Sequence, residues 1–188
     1  MTGPYFQKAS WTPFIYEGVT YPLDHLDEYI IEVADTKGNI RKIAVTFGDH
    51  CFTKDYEPGD AADLVYPDSD RRPGCFCFER YTLSLNINEH IEQATGGKVW
   101  SLKENNFAAL SVVDSSGRQM SYGVVFSLTR VSGLSVDLHM RVITAYPLDR
   151  GRLDTFGSVR FKHLITLRMQ GKMPSKITDR HRIVPKIL

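Results

Sequence analysis

The chain has 188 residues, of which 42% are hydrophobic and 24% are charged, and its formal net charge is +1. These values are typical of one folded domain and exclude a wholly disordered chain. A nearly neutral charge gives no global indication of a nucleic-acid partner. From 150 to 188, however, ten Lys or Arg residues accompany only two Asp residues, so the C-terminal end is basic and the body is acidic to match.

The cysteines and the apolar runs restrict the cellular setting. Cys51, Cys75 and Cys77 are too few, and odd in number, for a disulfide framework. No apolar run approaches the ~18 residues of a membrane span, and the N-terminus lacks the apolar stretch of a secretory signal. We therefore expect a cytoplasmic protein with no membrane partner.

The first half of the chain predicts an arm, a hairpin and a loop. Prolines and aromatic residues over 1–20 exclude a long helix and predict an aromatic arm whose rings pack on the body. Residues 29–33 and 40–47 read as two strands of an N-terminal hairpin, joined by a Gly/Asn turn. Residues 48–74 are rich in Pro, Gly and Asp, which predicts a long surface loop.

One helix is indicated after that loop. Its apolar residues recur at spacings of four, four and three, which places them on one helical face: Leu83, Ile87, Ile91 and Ala94. Gly96-Gly97 supplies a C-terminal stop. The spacing predicts one main helix of about four turns.

The clearest pattern covers 119–147, which reads as two strands joined by a turn at 131–133. Apolar side chains fall at every second position and so share one face; they are Met120, Tyr122, Val124, Phe126, Leu128, Leu134, Val136, Leu138, Met140 and Val142. The opposite row of the second strand is polar, with Ser135, Asp137, His139 and Arg141. We expect this hairpin in the middle of the sheet.

Together these elements predict an α+β fold, with an antiparallel meander sheet packed on one main helix. Further strands are expected at 98–102, 107–113 and 159–169, although a helix capped by Ser158 also fits the last segment. Residues 1–171 would form a single domain, with the N-terminal hairpin and the aromatic arm, and 172–188 a basic tail. One helix cannot cover two sheet faces, so one face should be partly open.

A metal-independent acid–base site is the first chemical hypothesis. The familiar nucleotide-binding, zinc-protease and serine-hydrolase motifs are absent from the sequence. Metal-free RNA cleavage needs a base for the 2′-hydroxyl, an acid for the leaving oxygen and cations for the phosphorane. The candidates are His50 or His139 as acid and base, Arg80 or Arg141 as cations, and the hydroxyls of Thr144 and Tyr146.

His139 and Arg141 lie two residues apart on one predicted strand and therefore share a face. Asp137, two residues earlier, could hold the imidazole in one tautomer and contact substrate. A solvated polar stripe is the commoner fate of such a row. For His50, the corresponding alternative is a loop histidine that caps a turn.

Cysteine chemistry gives two weaker hypotheses. Cys75 and Cys77, with His50 and Cys51, offer four ligands of the type that Zn²⁺ prefers, but their spacing is unusual for zinc. Buried apolar cysteines are the more frequent case. Cys51 beside His50 is poorly placed as a nucleophile, because adjacent strand side chains point apart. We expect no metal and no cofactor.

Two short motifs carry a resemblance to known proteins. The stretch CFERYTLS, with Arg80-Tyr81-x-x-Ser84, and the later strands resemble small bacterial and prophage proteins often labelled as stress or stationary-phase proteins. The closing TAYP at 144–147 resembles the end of the sheet in the barnase, colicin-nuclease and RelE-like ribonuclease toxins. The resemblance covers roughly residues 20–170.

This resemblance implies a metal-independent endoribonuclease toxin that acts on cellular RNA and is held by a neutralising antitoxin. It assigns roles to Tyr146, Thr144, Arg80 and a histidine. Tyr81 and Ser84 would contact substrate, and Tyr81 and Trp100 could stack on bases, although aromatic residues beside apolar ones usually belong to a core.

Strand parity separates the two candidate sets. Thr144 and Tyr146 share the parity of the buried row, whereas His139 and Arg141 share that of the polar row. Only a bulge or a strong twist would bring them to one face. The alternative function is a non-enzymatic phage or prophage binding module that uses the polar sheet face and the basic C-terminal end.

Overall fold

The computed structural model describes residues 5–7, 9–68, 73–114, 116–148 and 155–174. In this part of the chain the fold is α+β, as predicted, with three helices and twelve strands. The helices are α1 (Phe78–Ser84), α2 (Ile87–Gly96) and α3 (Phe161–Met169). The strands are β1 (Phe14–Tyr16), β2 (Val19–Tyr21), β3 (Tyr29–Ala34), β4 (Ile40–Phe47), β5 (Thr53–Asp55), β6 (Val65–Tyr66), β7 (Gly74–Phe76), β8 (Lys98–Ser101), β9 (Asn106–Val113), β10 (Gln119–Arg130), β11 (Leu138–Pro147) and β12 (Ser158–Arg160).

Seven strands form the main sheet, in the order β12-β8-β9-β10-β11-β4-β3. Strands β8 to β11 follow one another as an antiparallel meander. Strand β4 then pairs with β11 in parallel, and β3 completes the sheet antiparallel to β4. The predicted hairpin of β3 and β4 is confirmed, and so is the central place of β10 and β11.

The connection between the two central strands is longer than the sequence indicated. Strand β11 begins at Leu138, whereas the alternating pattern resumed at Leu134. The Asp137 N–H donates to the Lys42 carbonyl at 2.8 Å, and the Val131 N–H donates to the Asp137 carbonyl at 2.9 Å. These bonds close the loop onto β4, so Leu134 stays 46% exposed.

The alternating row of β10 and β11 is buried on the side where helices pack. Phe126 contacts Phe161 of α3 with ring centroids 5.9 Å apart. Tyr122 contacts His90 of α2 at 4.9 Å. Burial of these rings and of their aliphatic neighbours supplies the hydrophobic free energy that holds helices and sheet together.

The single predicted helix is two helices. Its apolar stripe is buried as expected, but α1 ends at Ser84 and α2 begins at Ile87. Leu85 therefore falls at the break between them and is 49% exposed.

The strand predicted at 159–169 was wrong, and only Ser158–Arg160 is extended. Helix α3 follows from Phe161, with Arg160 rather than Ser158 before its first turn. Phe161, Leu164 and Ile165 are fully buried, at the i, i+3, i+4 spacing of a helix. The sheet therefore packs on more than one helix, and the prediction of one main helix was too simple.

Residues 48–74 are not a plain surface loop, which corrects the prediction. Strands β5, β7 and β6 form a small sheet in that order. Phe52 and Tyr66 are buried, with ring centroids 4.9 Å apart, and Phe52 also lies near Phe76. Single aromatic residues among turn-forming residues anchor this segment. Because they follow no periodic pattern, the sequence did not indicate that they would be buried.

The aromatic arm packs on the body, as predicted. Phe14 stacks on Phe76 with centroids 4.2 Å apart, and Trp11 meets Phe52 edge-on at 5.5 Å. Strands β1 and β2 form a short hairpin within the arm. The arm is thus part of the aromatic core built by 52–76.

No helix in the described ranges is long and apolar enough to cross a membrane. The predicted basic tail at 172–188 lies outside the described residues from position 175 onward.

Gly48 allows β4 to end against the backbone of β11. Its N–H donates to the Val142 carbonyl at 2.8 Å. A Cβ at this position would lie 2.9 Å from the Ile143 carbonyl oxygen, a backbone atom that cannot move aside cheaply. A side chain at position 48 would therefore push residues 49–51 away from the sheet.

Gly48→Ala should lower the free energy of unfolding by about 1–3 kcal/mol, the usual cost of overpacking. Urea unfolding at neutral pH measures this change. Gly96→Ala is the matched control, because nothing lies within 4 Å of its added Cβ, and it should be neutral or stabilising. Equal stability of the Gly48→Ala protein and the wild type would contradict the close approach.

Candidate functional site

A β-bulge in β11 changes which side chains share a face. Phe126 pairs with Val142, but the residue before it in β10, Val125, pairs with Thr144, so Ile143 is the extra residue. Residues paired across a ladder lie on the same face. Ala145 therefore continues the buried row opposite Val124, and is itself fully buried.

The bulge brings both predicted sets to one face. Before it, His139 and Arg141 pair with Thr129 and Ser127; after it, Thr144 and Tyr146 pair with Val125 and Gly123. Thr129, Ser127, Val125 and Gly123 alternate along β10, which has no bulge of its own, so they share a face. Strict alternation along β11 would have put the two sets on opposite faces, and the bulge removes this separation.

Three chain segments meet at the backbone carbonyl of His50. The Thr144 hydroxyl donates to this oxygen at 3.2 Å, and Arg80 Nη1 donates to it at 3.1 Å. Arg80 Nη1 also donates to the Thr53 carbonyl at 2.6 Å. We call His50, Arg80, Thr144 and Tyr146 the His50 cluster. They come from three segments that are far apart in sequence, at residues 50, 80 and 144–146, and folding places these segments together.

Tyr146 joins the cluster through Arg80. The guanidinium carbon lies 5.7 Å from the centroid of the Tyr146 ring, within the range of a cation–π contact. Burial raises the pKa of Tyr146, and the nearby Arg80 charge partly offsets this rise. The phenol therefore keeps its proton at neutral pH and remains a hydrogen-bond donor.

The imidazole of His50 is accessible. Its side chain is 36% exposed, and Nε2 lies 3.9 Å from a carboxylate oxygen of Asp55. The residue belongs to a 3-10 turn, Asp49–Cys51, that contacts β11. The imidazole is therefore accessible to a bound molecule, and two hydrogen bonds to the His50 carbonyl tie down the turn that carries it.

The three cysteines are free thiols that are buried or partly buried. Cys51 is fully buried, and burial raises the pKa of its thiol to about 12, which excludes a thiolate nucleophile at neutral pH. Cys75 is also buried, and Cys77 is partly buried. Within the described ranges, no three His, Cys, Asp or Glu side chains are grouped to hold a metal ion.

His139 lies further along the same face, under the N-terminal arm. The Phe6 ring stacks on its imidazole, with centroids 3.9 Å apart and an interplanar angle of 5°. His139 Nε2 is hydrogen-bonded to the Thr46 hydroxyl at 2.8 Å. Burial lowers the pKa of His139, and the charge of Arg141 lowers it further against an opposing effect of Glu28.

Asp137 contacts the sheet backbone and an arginine. Its Oδ2 accepts a hydrogen bond from the Lys42 N–H at 2.9 Å, and its Oδ1 lies 3.4 Å from Arg41 Nη1. The recorded partner of His139 Nε2 is Thr46, not Asp137. Asp137 thus fixes the start of β11, and Thr46 holds the imidazole.

The structure does not bring Tyr81 and Ser84 to the His50 cluster by any recorded contact. Tyr81 packs among Tyr21, Phe76 and His25. Ser84 is fully buried, donates to the Tyr81 carbonyl at 2.7 Å and is hydrogen-bonded to His25 Nε2 at 2.8 Å. The His25–Ser84 pair was missed in the sequence because 59 residues separate its members.

Sequence reasoning also missed Phe6, Thr46 and Glu28. Glu28 accepts hydrogen bonds from the backbone N–H groups of Tyr5, Phe6 and Gln7 at 2.6, 2.7 and 2.8 Å. One carboxylate therefore holds the arm over His139. Nothing in the local pattern of either segment indicates this contact.

Comparison with protein-family models matches residues 13–168 to the YjaZ family. No curated protein and no solved structure matches the chain. The matched range contains the whole His50 cluster and begins after the arm residues that cover His139.

The lowered pKa of His139 predicts a stability change with pH. The unfolded imidazole, with a pKa near ~6.5, binds its proton more readily than the folded one. The free energy of unfolding should therefore fall as the pH is lowered through this range. In His139→Gln this fall should be smaller, because one imidazole with a lowered pKa has been removed. His25 and His90 are present in both proteins and contribute equally to both. Urea unfolding at pH 7.5 and about 5 tests this; equal losses in the two proteins would contradict it.

Proposed function

The chain belongs to the YjaZ family, and we propose that it is a metal-independent endoribonuclease that cleaves cellular RNA by acid–base catalysis. The observation that carries the proposal is the convergence of Arg80 and Thr144 on the His50 carbonyl, with Tyr146 beside Arg80. Imidazole, guanidinium and hydroxyl groups are the set that metal-free phosphodiester cleavage requires.

In this proposal His50 moves the proton. Its imidazole takes the proton of the 2′-hydroxyl, and O2′ forms a bond to phosphorus. As the P–O5′ bond breaks, the imidazolium returns the proton to O5′. The products are a 2′,3′-cyclic phosphate and a 5′-hydroxyl, and no other reactant is needed.

Arg80 stabilises the charge of the phosphorane. Its Nη1 is held by the His50 and Thr53 carbonyls. Among the described residues no hydrogen bond is recorded from its Nε or Nη2, so these groups are able to donate to phosphate oxygens. Because the guanidinium is already held in place before the substrate binds, reorganising it in the transition state costs little free energy.

Tyr146 and Thr144 position the substrate. The protonated phenol donates a hydrogen bond to a phosphate or ribose oxygen. The Thr144 hydroxyl fixes the turn that carries the imidazole. Removal of either hydroxyl should therefore disturb the position of the substrate or of the imidazole more than it disturbs the proton transfer itself.

The partner of the proposed enzyme is RNA, and an antitoxin protein would restrain it in the cell. A non-enzymatic binding module is the second candidate, favoured by the arm and polar sheet face that meet at His139. The other feature of that alternative, the basic end with Arg180 and Arg182, lies outside the described residues.

We expect purified protein to cleave total RNA in EDTA and to leave 2′,3′-cyclic phosphate ends. His50→Ala should reduce the cleavage rate at least about 100-fold, because general acid–base catalysis contributes that much or more. Arg80→Ala should cost about 100- to 1,000-fold. Gel analysis of the RNA, with circular dichroism to verify folding, measures both effects.

Matched controls come from exposed residues elsewhere on the chain. His163→Ala removes an exposed imidazole of α3, and Arg118→Ala removes a guanidinium that is 72% exposed. Both should cleave RNA as the wild type does. Intact RNA with folded wild-type protein would refute the nuclease and favour the binding module.

Expression in a bacterial host tests the toxin aspect. The wild type should arrest growth, and His50→Ala and Tyr146→Phe should relieve the arrest in line with their loss of cleavage. Growth curves with matched protein levels measure this. Arrest that survives His50→Ala, His139→Ala, Arg80→Ala and Tyr146→Phe alike would separate toxicity from the proposed chemistry.

A further inference from the structure

Residues 5–7 and 9–10 of the N-terminal arm form a strap over the polar face of the main sheet. On its C-terminal side the chain enters the aromatic core, where Phe14 is buried. Residues 9–10, by contrast, are exposed, and the match to the family model begins only at residue 13. The strap is therefore joined to the core at one end and is otherwise held by contacts of its own.

One carboxylate and one ring provide the main contacts that hold the strap closed. Glu28 accepts the backbone N–H groups of residues 5–7, and Phe6 stacks on His139. Three further side-chain contacts join the strap to the body: Tyr5 to Ser135, Gln7 to Asp27 and Ser10 to Asp27. A groove of about 470 Å³ separates the arm from the strands, so the arm does not pack closely on them. Segments with few buried apolar contacts open locally, without global unfolding.

The strap lies next to the His50 cluster on the same sheet face. His139 is under the Phe6 ring, and Arg141, two residues further along β11, lines the groove and is exposed. Arg141 and Thr144 pair with residues of β10 two positions apart, because Ile143 is the bulge residue. They are therefore about 7 Å apart along the sheet. An RNA strand that follows this face away from the cluster meets Arg141 first and then the strap.

We propose that the strap is autoinhibitory: it covers an RNA-binding subsite at His139 and Arg141 and opens when a strand occupies that subsite. The inference rests on the proposed function of the His50 cluster. With the strap closed, the arm blocks the path of the strand over His139. With the strap open, the imidazole and the guanidinium are able to donate to phosphate oxygens of the neighbouring nucleotide. The apparent affinity for RNA is then reduced by the fraction of molecules that are closed.

Opening also changes the charge of the subsite. Burial is the main cause of the lowered pKa of His139, the charge of Arg141 lowers it further, and Glu28 acts in the opposite direction. Opening removes the cover of Phe6 and releases the Glu28 carboxylate from the arm N–H groups, so the imidazole binds a proton more readily. A protonated imidazole attracts phosphate. Strap opening and RNA binding therefore favour each other.

Strap opening is measurable without RNA. Phe6→Ala removes the ring over His139 and leaves Glu28 and Arg141 in place. The pKa of His139, followed by NMR of the imidazole signals, should rise towards the ordinary value of about 6.5. Tyr56→Ala is the matched control, because this ring is 43% exposed and has no recorded contact with the arm among the described residues. An unchanged pKa in Phe6→Ala would overturn the strap.

A four-nucleotide 2′-O-methyl RNA serves as the binding probe, because it lacks the free 2′-hydroxyl that the reaction requires. Calorimetry at one fixed salt concentration gives its dissociation constant. Phe6→Ala should bind the probe about three- to tenfold more tightly than the wild type, because fewer molecules are closed. Glu28→Gln should act in the same direction, and more strongly than Glu32→Gln, which removes an equal charge from a side chain of β3 that is 59% exposed.

Arg141→Ala tests the subsite separately from the strap. It should weaken probe binding more in the Phe6→Ala protein than in the wild type, since the strand reaches past Arg141 only when the strap is open. Arg118→Ala removes a guanidinium that is 72% exposed on another turn and should have the same small effect in both proteins. Equal effects of Arg141→Ala in the two proteins would overturn the subsite.

The results separate the strap from the nuclease. Absence of probe binding, or equal affinity in Phe6→Ala and the wild type, overturns the strap. Tighter probe binding in Phe6→Ala together with intact total RNA supports the strap and refutes the nuclease, and RNA cleavage with equal affinities does the reverse. Circular dichroism verifies folding, and if Phe6→Ala is unfolded, the comparison of Glu28→Gln with Glu32→Gln decides.

Discussion

The extra residue in β11, Ile143, determines which side chains can act together. Without it, strand parity would put Thr144 and Tyr146 beneath the sheet, in the apolar row, and would leave His139 and Arg141 alone on the other face. With it, all four lie on one face, and Ala145 fills the place in the core. A bulge costs one unpaired residue in the ladder and is found where a strand must redirect a side chain.

The bulge acts together with the segment that follows β4. Gly48 permits the chain to turn tightly against β11, and the next residues offer a backbone carbonyl to Thr144 and Arg80. The aromatic cluster of the arm and of 52–76 then supports this turn from outside the main sheet. The polar contacts of the cluster are few, and the surrounding apolar packing restricts the positions of the groups that make them.

The sequence predicted the periodic elements well and the irregular ones poorly. Alternation in 119–147 identified the central hairpin, since burial of one face imposes a period of two. The segment 159–169 matched both periods, and its length and burial on the sheet decided for a helix. In 48–74 the structure depends on single aromatic residues, which leave no period to detect.

The sequence suggested the residues of the His50 cluster among other candidates, but it did not indicate their arrangement. His50, Arg80, Thr144 and Tyr146 were identified by chemistry and by resemblance. The bulge that allows them to meet has no sequence signature here, because Ile143 fits the strand pattern as well as its neighbours. The stacking of Phe6 on His139 joins residues 133 positions apart, and such pairing follows from tertiary packing alone.

The parallel pairing of β4 with β11 also has a consequence for biosynthesis. It joins Ile43–Phe47 to Leu138–Val142, so β4 waits for nearly a hundred further residues before its partner exists. Contacts of such long range slow folding, because loop closure must precede the gain from pairing. The His50 turn and β11 therefore meet only after residues 138–147 have been synthesised, and a growing chain that has not yet reached them lacks the assembled cluster.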